Sequence, residues 1–261
     1  MRQLIRLLLL CAAFALCANA TVTVMVHGVS VHVGDAVTLN TTGATAYGVF
    51  CSGDSGISAG NCPAFTDSVN NFSSYTRLTC YATSSSSSCG TNYGAQWFII
   101  CGPTTDAAEV FTPGTNTRLF VYALQGTASS SCNTVDIGNI TSSPQPTALG
   151  AFTPVEGGDL LLIGLGTNTN DGQRCMKSVN STCSSDATFA TLDNCISASG
   201  PCSAAAPVSS ASGQVWDYSF PDGSAITSYT TIQQTFSNGL AGTIFKVAPV
   251  GAAGGRHGKV F

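Results

Sequence analysis

The same order of landmarks runs through this chain twice. Cys51, Cys62, Cys80 and Cys89 precede Trp97, a Phe-Thr-Pro-Gly turn at 111–114 and the apolar run Leu119 to Leu124. Cys175, Cys183, Cys195 and Cys202 precede Trp216, the turn at 235–239 and the run Thr243 to Val247. Matched landmarks lie roughly 115–125 residues apart, and the loops between them vary while the order does not. Such a repeat points to two copies of one folding unit, each close to the size of an ordinary domain.

The unit reads as all-β. The segments Ala95–Cys101, Leu119–Leu124, Asp159–Leu165 and Thr243–Val247 are short, rich in β-branched or aromatic residues, and bounded by Gly, Pro, Ser or Asn. No sustained 3.6-residue apolar period follows the first 20 residues. The expected fold is two tandem, duplicated β-sandwiches of jelly-roll or Ig-like type, stapled by disulfides. The expected organisation is a signal peptide at 1–20, a donor-like N-terminal strand at 21–34 and a first sandwich at 35–140. A linker at 141–152, a second sandwich at 153–250 and a Gly-rich tail at 251–261 follow. The linker is placed by the composition of Thr141-Ser-Ser-Pro-Gln-Pro146. Trp97 and Trp216, at matching positions, are expected to pack between sheets rather than to serve as sugar-stacking platforms.

Export is expected from Arg2 and Arg6, the apolar core Leu7 to Leu16 and the small-x-small site Ala18-Asn-Ala20. The core is too short to favour spanning a bilayer. A mature chain starting at Thr21 keeps ten cysteines, which read as a disulfide framework. Sequence alone leaves the connectivity open. The duplicated order favours the local pairs Cys51–Cys62, Cys80–Cys89, Cys175–Cys183 and Cys195–Cys202, with Cys101 and Cys132 paired to each other. Sequons at Asn40, Asn71, Asn139 and Asn180 point to covalent glycans.

Thr41-Thr-Gly-Ala-Thr45 leading into Ala46–Phe50, then Thr66-Asp-Ser-Val-Asn-Asn71, and Thr153 to Gly166 carry a resemblance that spans both repeats. They resemble a class of secreted and phage-associated jelly-roll-like β-sandwich proteins. The resemblance implies the fold and the repeat number, and no activity.

Charged residues make up 8% of the chain, and loss of Arg2 and Arg6 takes the net charge from −4 to −6. No basic patch can be built, so neither nucleic acid nor an anionic membrane is an expected partner. No catalytic residues, cofactor or metal are expected. There are two glutamates, Glu109 and Glu156, and the aspartates sit mostly in turn contexts. Asp67 and Asp186 are the only pair imagined as glycosidase carboxylates, and each reads better as a turn cap. His27 and His32 lie on a Val-rich strand, and no G-x-S-x-G occurs. The run Asn168–Gly172 resembles an oxygen-rich calcium turn but reads as an ordinary one. Tyr75, Tyr81 and Tyr93 are the candidates for a sugar-binding surface.

The functional expectation rests on the N-terminal strand. Val22, Val24 and Val26 alternate, His27-Gly28 intervenes, and Val29, Val31 and Val33 alternate on the opposite parity. The apolar face should therefore flip at Gly28 unless a bulge sits there. The leading reading makes Val22, Val24, Val26, His27 and Gly28 assembly residues. In it the segment completes a sheet in a neighbouring copy, as donor strands of pilus-like fibre subunits do. The chain would then be a secreted, non-enzymatic structural glycoprotein of a fibre or coat, partnered by itself. A carbohydrate-binding module is the alternative.

Overall fold

The computed structural model describes residues 21–32, 34–53, 64–82, 94–114, 117–141, 147–148, 153–167, 175–177, 190–195, 212–220, 230–232 and 238–248. Among them are seventeen strands, one short 3-10 turn (Phe72–Ser74) and no α-helix. The first nine strands are β1 (Thr23–Val29), β2 (Val37–Leu39), β3 (Ala46–Gly53), β4 (Thr66–Asp67), β5 (Thr76–Arg77), β6 (Tyr81–Ala82), β7 (Gly94–Cys101), β8 (Glu109–Thr112) and β9 (Thr117–Gln125). The others are β10 (Ile137–Thr141), β11 (Thr147–Ala148), β12 (Leu160–Thr167), β13 (Cys175–Lys177), β14 (Ala190–Asn194), β15 (Ser212–Ser219), β16 (Thr230–Ile232) and β17 (Asn238–Phe245).

All pairings are antiparallel and nested. In the first half β1 pairs with β9, β2 with β8, and β3 with both β7 and β9. In the second half β10 pairs with β17, β11 with β16, and β12 with both β15 and β17. The large sheets run β1-β9-β3-β7-β5 and β10-β17-β12-β15-β14, with β6 also on β7; the small ones run β2-β8-β4 and β11-β16-β13. Apart from β6, which has no counterpart among the described strands of the second half, the second set follows the chain in the same order as the first. The strand Ile137–Thr141, placed by the sequence reading at the end of the first sandwich and the start of the linker, pairs with β17 and so serves the second large sheet.

The first large sheet is buried on both faces. Tyr47, Val49, Phe98, Leu119 and Val121 pack with Val37, Leu39 and Phe111 of the small sheet. Their neighbours Ala46, Phe50, Trp97, Phe120 and Tyr122 pack with Leu160, Leu162, Val215, Ala241 and Phe245 of the second large sheet. Burial on both sides explains why Leu119 to Leu124 shows no apolar–polar alternation. The large sheets of the two halves therefore share one core.

That shared core works by size complementarity. A Cβ on Gly164 would overlap the Phe50 ring, one on Gly213 would lie 2.8 Å from Phe120, and one on Gly48 would lie 3.0 Å from Phe245. Each ring thus fills a notch that only glycine leaves open. Trp97 is fully buried, and its indole N–H donates to the Ala241 carbonyl at 2.9 Å. Trp97 sits opposite Phe50 in its ladder, whereas Trp216 sits opposite Ile163. Phe50 belongs to the interface row, while Ile163 alternates with the interface residues Leu162 and Gly164. The two tryptophan positions, taken as equivalent from sequence, lie on rows of opposite parity.

Candidate functional site

The N-terminal strand is paired in cis. Thr23 to Val29 form an edge ladder with β9 of the same chain, and Val22 is buried in the shared core, its N–H donating to the Gly158 carbonyl at 2.8 Å. The parity switch foreseen from the valines exists, but it lies earlier. The register slips between Val24 and Val26, leaving Met25 as the extra residue of a bulge. Before it, Val22 and Val24 face the second large sheet; after it, Val26 packs toward the small sheet and Val29 toward the large one. Gly28 is no bulge. A Cβ there would lie 2.8 Å from Val37 and 2.9 Å from Leu39, so its role is to let β2 approach. The strand stops at Val29; Ser30 N–H donates to the Leu119 carbonyl, and Val31 is exposed.

The bulge decides where His27 goes. One residue of slip moves its side chain from the small-sheet face to the row of Tyr122, its direct cross-strand partner. A second bulge on the facing edge strand β14, between Thr191 and Asp193, sets Asp193 opposite Val215 in the interface row. The two edges meet there. His27 Nδ1 donates to Asp193 Oδ2 at 3.0 Å, and the Tyr122 hydroxyl donates to the same oxygen at 2.6 Å. The His27 ring lies parallel to Tyr122, with centroids 5.8 Å apart. Asp193 is 5% exposed and Tyr122 fully buried, while His27 keeps 39% of its side chain in solvent.

A cleft of about 340 Å³ opens beside them, lined by Val22, Thr23, Val24, His27, Leu160, Leu192, Asp217 and Ser219. The hydrogen bond to Asp193 raises the His27 pKa above its ordinary 6.5, against the opposing effect of burial, and the charges of Asp193 and Asp217 add to it. Burial raises Asp217 as well. Desolvation, then the Asp193 charge, push the Tyr122 hydroxyl far up, so it acts only as a donor. Because Asp193 occupies Nδ1, the ring nitrogen that gains or loses a proton is Nε2.

A second polar cluster lies between the first large sheet and the small sheet β2-β8-β4. Glu109 is fully buried. Its Oε2 receives the hydroxyls of Tyr47 at 2.6 Å and Thr41 at 2.5 Å, and its Oε1 receives Asn70 Nδ2 at 2.8 Å. The same Asn70 amide also faces Asp67 Oδ2 and the Thr104 carbonyl, so two protons serve three acceptors. The Thr41 and Tyr47 hydroxyls each have a second acceptor, the carbonyls of Asp106 and Thr104. A proton on Glu109 supplies the missing donor. Burial agrees, raising the Glu109 pKa from 4.5 to about 7.

Other sequence candidates fall as follows. Asp67, imagined beside Asp186, instead neighbours Glu109 and receives the Tyr75 hydroxyl at 2.6 Å and the N–H groups of Val69 and Asn70. Asp186 lies outside the described residues. Tyr75 is buried with its hydroxyl committed, so it is no sugar platform; Tyr81 is half-buried, and Tyr93 lies outside the described residues. Cys101 and Cys132 are bonded to each other. Cys51, Cys80 and Cys195 are disulfide-bonded too. Cys62, Cys89, Cys183, Cys202, Asn180 and the run 168–172 lie outside them, as does the side chain of Cys175. Asn40 and Asn71 are exposed; Asn139 is on β10, its side chain outside the described set.

Asp193, Tyr122 and Asp217 were not singled out from sequence. His27 and Asp193 are 166 residues apart, and no spacing rule joins them. Neither a protein family, nor a curated protein, nor a solved structure matches this chain.

Proposed function

We propose that the chain is a secreted, non-enzymatic glycoprotein, a structural subunit of an extracellular fibre or coat. It is built from two duplicated jelly-roll sandwiches and assembles by exchange of β1 between copies. The observation that carries this reading is the seating of β1. It is an edge strand held by one ladder, in a groove formed by β9, β2 and the β14 edge. A copy of β1 from a neighbour would make the same contacts, so exchange costs little beyond the hinge. The His32–Asp35 turn, closed by Asp35 N–H to the His32 carbonyl and carrying Gly34 at φ +89°, is that hinge. Matching nested strand orders support the duplication. The low charge suits a surface hydrated by glycans, with Asn40 and Asn71 exposed to carry them.

Since Val22 lies in the core, deleting residues 21–27 removes part of a folded sandwich as well as the connector. The cleaner test locks the strand at home. Val24 and Leu124 are opposite in the ladder. The mature chain is expected to run as a polymer on a sizing column and to appear as one by electron microscopy. Val24→Cys with Leu124→Cys, oxidised as a monomer, is expected to stay monomeric. A native chain that is monomeric at all concentrations overturns the assembly reading. Polymers from the locked variant overturn strand exchange.

The carbohydrate-binding reading rests on the cleft beside His27, where Thr23, Ser219 and Asp217 sit against Val24, Leu160 and Leu192. Hydroxyl and carboxylate groups facing an apolar wall suit a sugar ring.

A further inference from the structure

We propose that His27 is a proton-operated latch: its charged ring ties β1 to the second large sheet, and loss of that charge loosens the strand. The latch deepens the strand-exchange reading, because it governs the same strand, but it acts within a single chain and does not need assembly.

The argument starts from position. Within β1, Thr23 to Val29, His27 is the single titratable side chain. The ladder to β9 holds one edge of the strand. On the face toward the second half, the polar tie is the His27–Asp193 pair. The groups around it come from three elements. Asp193 comes from β14, Tyr122 from β9 and Asp217 from β15, while β2, packed on the other face, has no titratable residue.

With His27 charged, Asp193 has a cation and a hydroxyl donor, and Asp217 is also near positive charge. With His27 neutral, Asp193 keeps two neutral donors, but two carboxylates then share one partly buried corner with no cation among these groups. Like charges there repel, and part of that repulsion falls on the contact that holds β1. Both edge bulges serve this arrangement. Without the one at Met25, His27 would face the apolar small-sheet side; without the one at Leu192, Asp193 would leave the interface row.

The sign follows from linkage. The folded-state pKa of His27 lies above 6.5. Its contribution is therefore fully present below pH 6.5 and is lost as the pH rises through the raised value. Asp217, raised by burial, works in the same sense at lower pH. The latch is tight in mild acid and loose in mild alkali.

The test is amide hydrogen exchange of the full mature chain from pH 5.5 to 8.5, corrected for intrinsic rates, with the His27 ring titrated by NMR. Protection of Thr23–Val29 is expected to fall across the titration of His27, by about tenfold for each unit by which its pKa is raised. In a Glu109→Gln background, which removes the buried acid's own titration, protection in β3 and β12 should stay level across the same step while that of β1 still falls. His27→Gln should flatten the β1 profile, and Asp193→Asn should bring the His27 titration back toward 6.5. A β1 profile that is flat through the His27 titration, or one that persists in His27→Gln, overturns the latch. Sizing the same samples separates the two ideas. A working latch in a strictly monomeric protein sinks strand exchange alone, and polymers with pH-independent β1 protection sink the latch alone.

Discussion

The two large sheets have matching strand orders yet meet with unlike surfaces. The first presents Phe50, Trp97, Phe120 and Tyr122; the second presents Leu160, Leu162, Gly164, Gly213, Val215 and Ala241. Strand contacts across the interface come in related sets: β7 lies against β17, β9 against β15, and β3 against β12. Exchanging the halves maps the first contact onto the second and the third onto itself. Two separate identical units meeting this way would need one self-complementary surface, with equal side chains facing each other near the axis. Joined in one chain, each face is free to change independently. Phe50 against Gly164 and Phe120 against Gly213 are the outcome: these two rings come from the first half and their room from the second, while Phe245 against Gly48 runs the other way.

The most damaging way to break this contrast is to remove a ring. Phe50→Ala should cost about 3–5 kcal/mol in chemical denaturation, since the ring is fully buried and its notch cannot close. Gly164→Ala should cost about 1–3 kcal/mol by overpacking. The double variant should cost less than the sum, with a coupling of about 0.5–3 kcal/mol. Strict additivity would mean that the two faces do not meet here.

A somewhat smaller effect should come from the Cys101–Cys132 bridge, which has no counterpart in the cysteine order of the second half. It anchors the segment through which the chain crosses to the other sheet. Asn133 bridges Phe245, Thr134 N–H donates to the Ile244 carbonyl, and Lys246 N–H donates to the Cys132 carbonyl. Cys101→Ser with Cys132→Ser should lower stability by about 2–4 kcal/mol. A loss confined to the first half, measured by exchange, would show that the crossing segment is held by its hydrogen bonds instead.

The finest distinction is the buried acid. Glu109 is buried in the first half, whereas the sole other glutamate, Glu156 in the second half, is exposed. With a folded pKa of about 7 against an ordinary 4.5, Glu109 stabilises fully below pH 4.5 and loses that contribution as the pH rises to 7. Glu109→Gln places an amide where the protonated acid would donate. It should match the native chain at pH 4.5 and exceed it by about 1–3 kcal/mol at pH 8. An unchanged pH slope in the variant would mean that Glu109 is ionised throughout.

Strands such as Leu119–Leu124 and Asp159–Leu165 were readable because β-branched and aliphatic runs between turn residues have few other solutions. Their lack of alternation also signals burial on both faces, as the shared core shows. The valine parity was readable, but its cause was assigned to Gly28. A glycine suggests a bulge and a close approach equally, and only the position of β2 tells them apart. Trp97 was legible as a tryptophan packed between sheets. The His27 corner was half legible. The histidine was conspicuous on an apolar strand, but its partner depends on two bulges and a sheet-to-sheet contact that no local pattern encodes.

Burial of the first large sheet on both faces also has a consequence for how the chain is made. Phe50, Trp97, Phe120 and Tyr122 are synthesised before the residues that cover them. Ala241 and Phe245, which pack against them, come roughly 120 residues after Phe120, a delay on the order of ten seconds at typical ribosomal rates. Through that interval the first half carries a wide aromatic face with no covering partner of its own. A chain stopped after β9 is therefore expected to display the apolar surface at which it is most prone to aggregate, which light scattering of a fragment ending after Gln125 would measure.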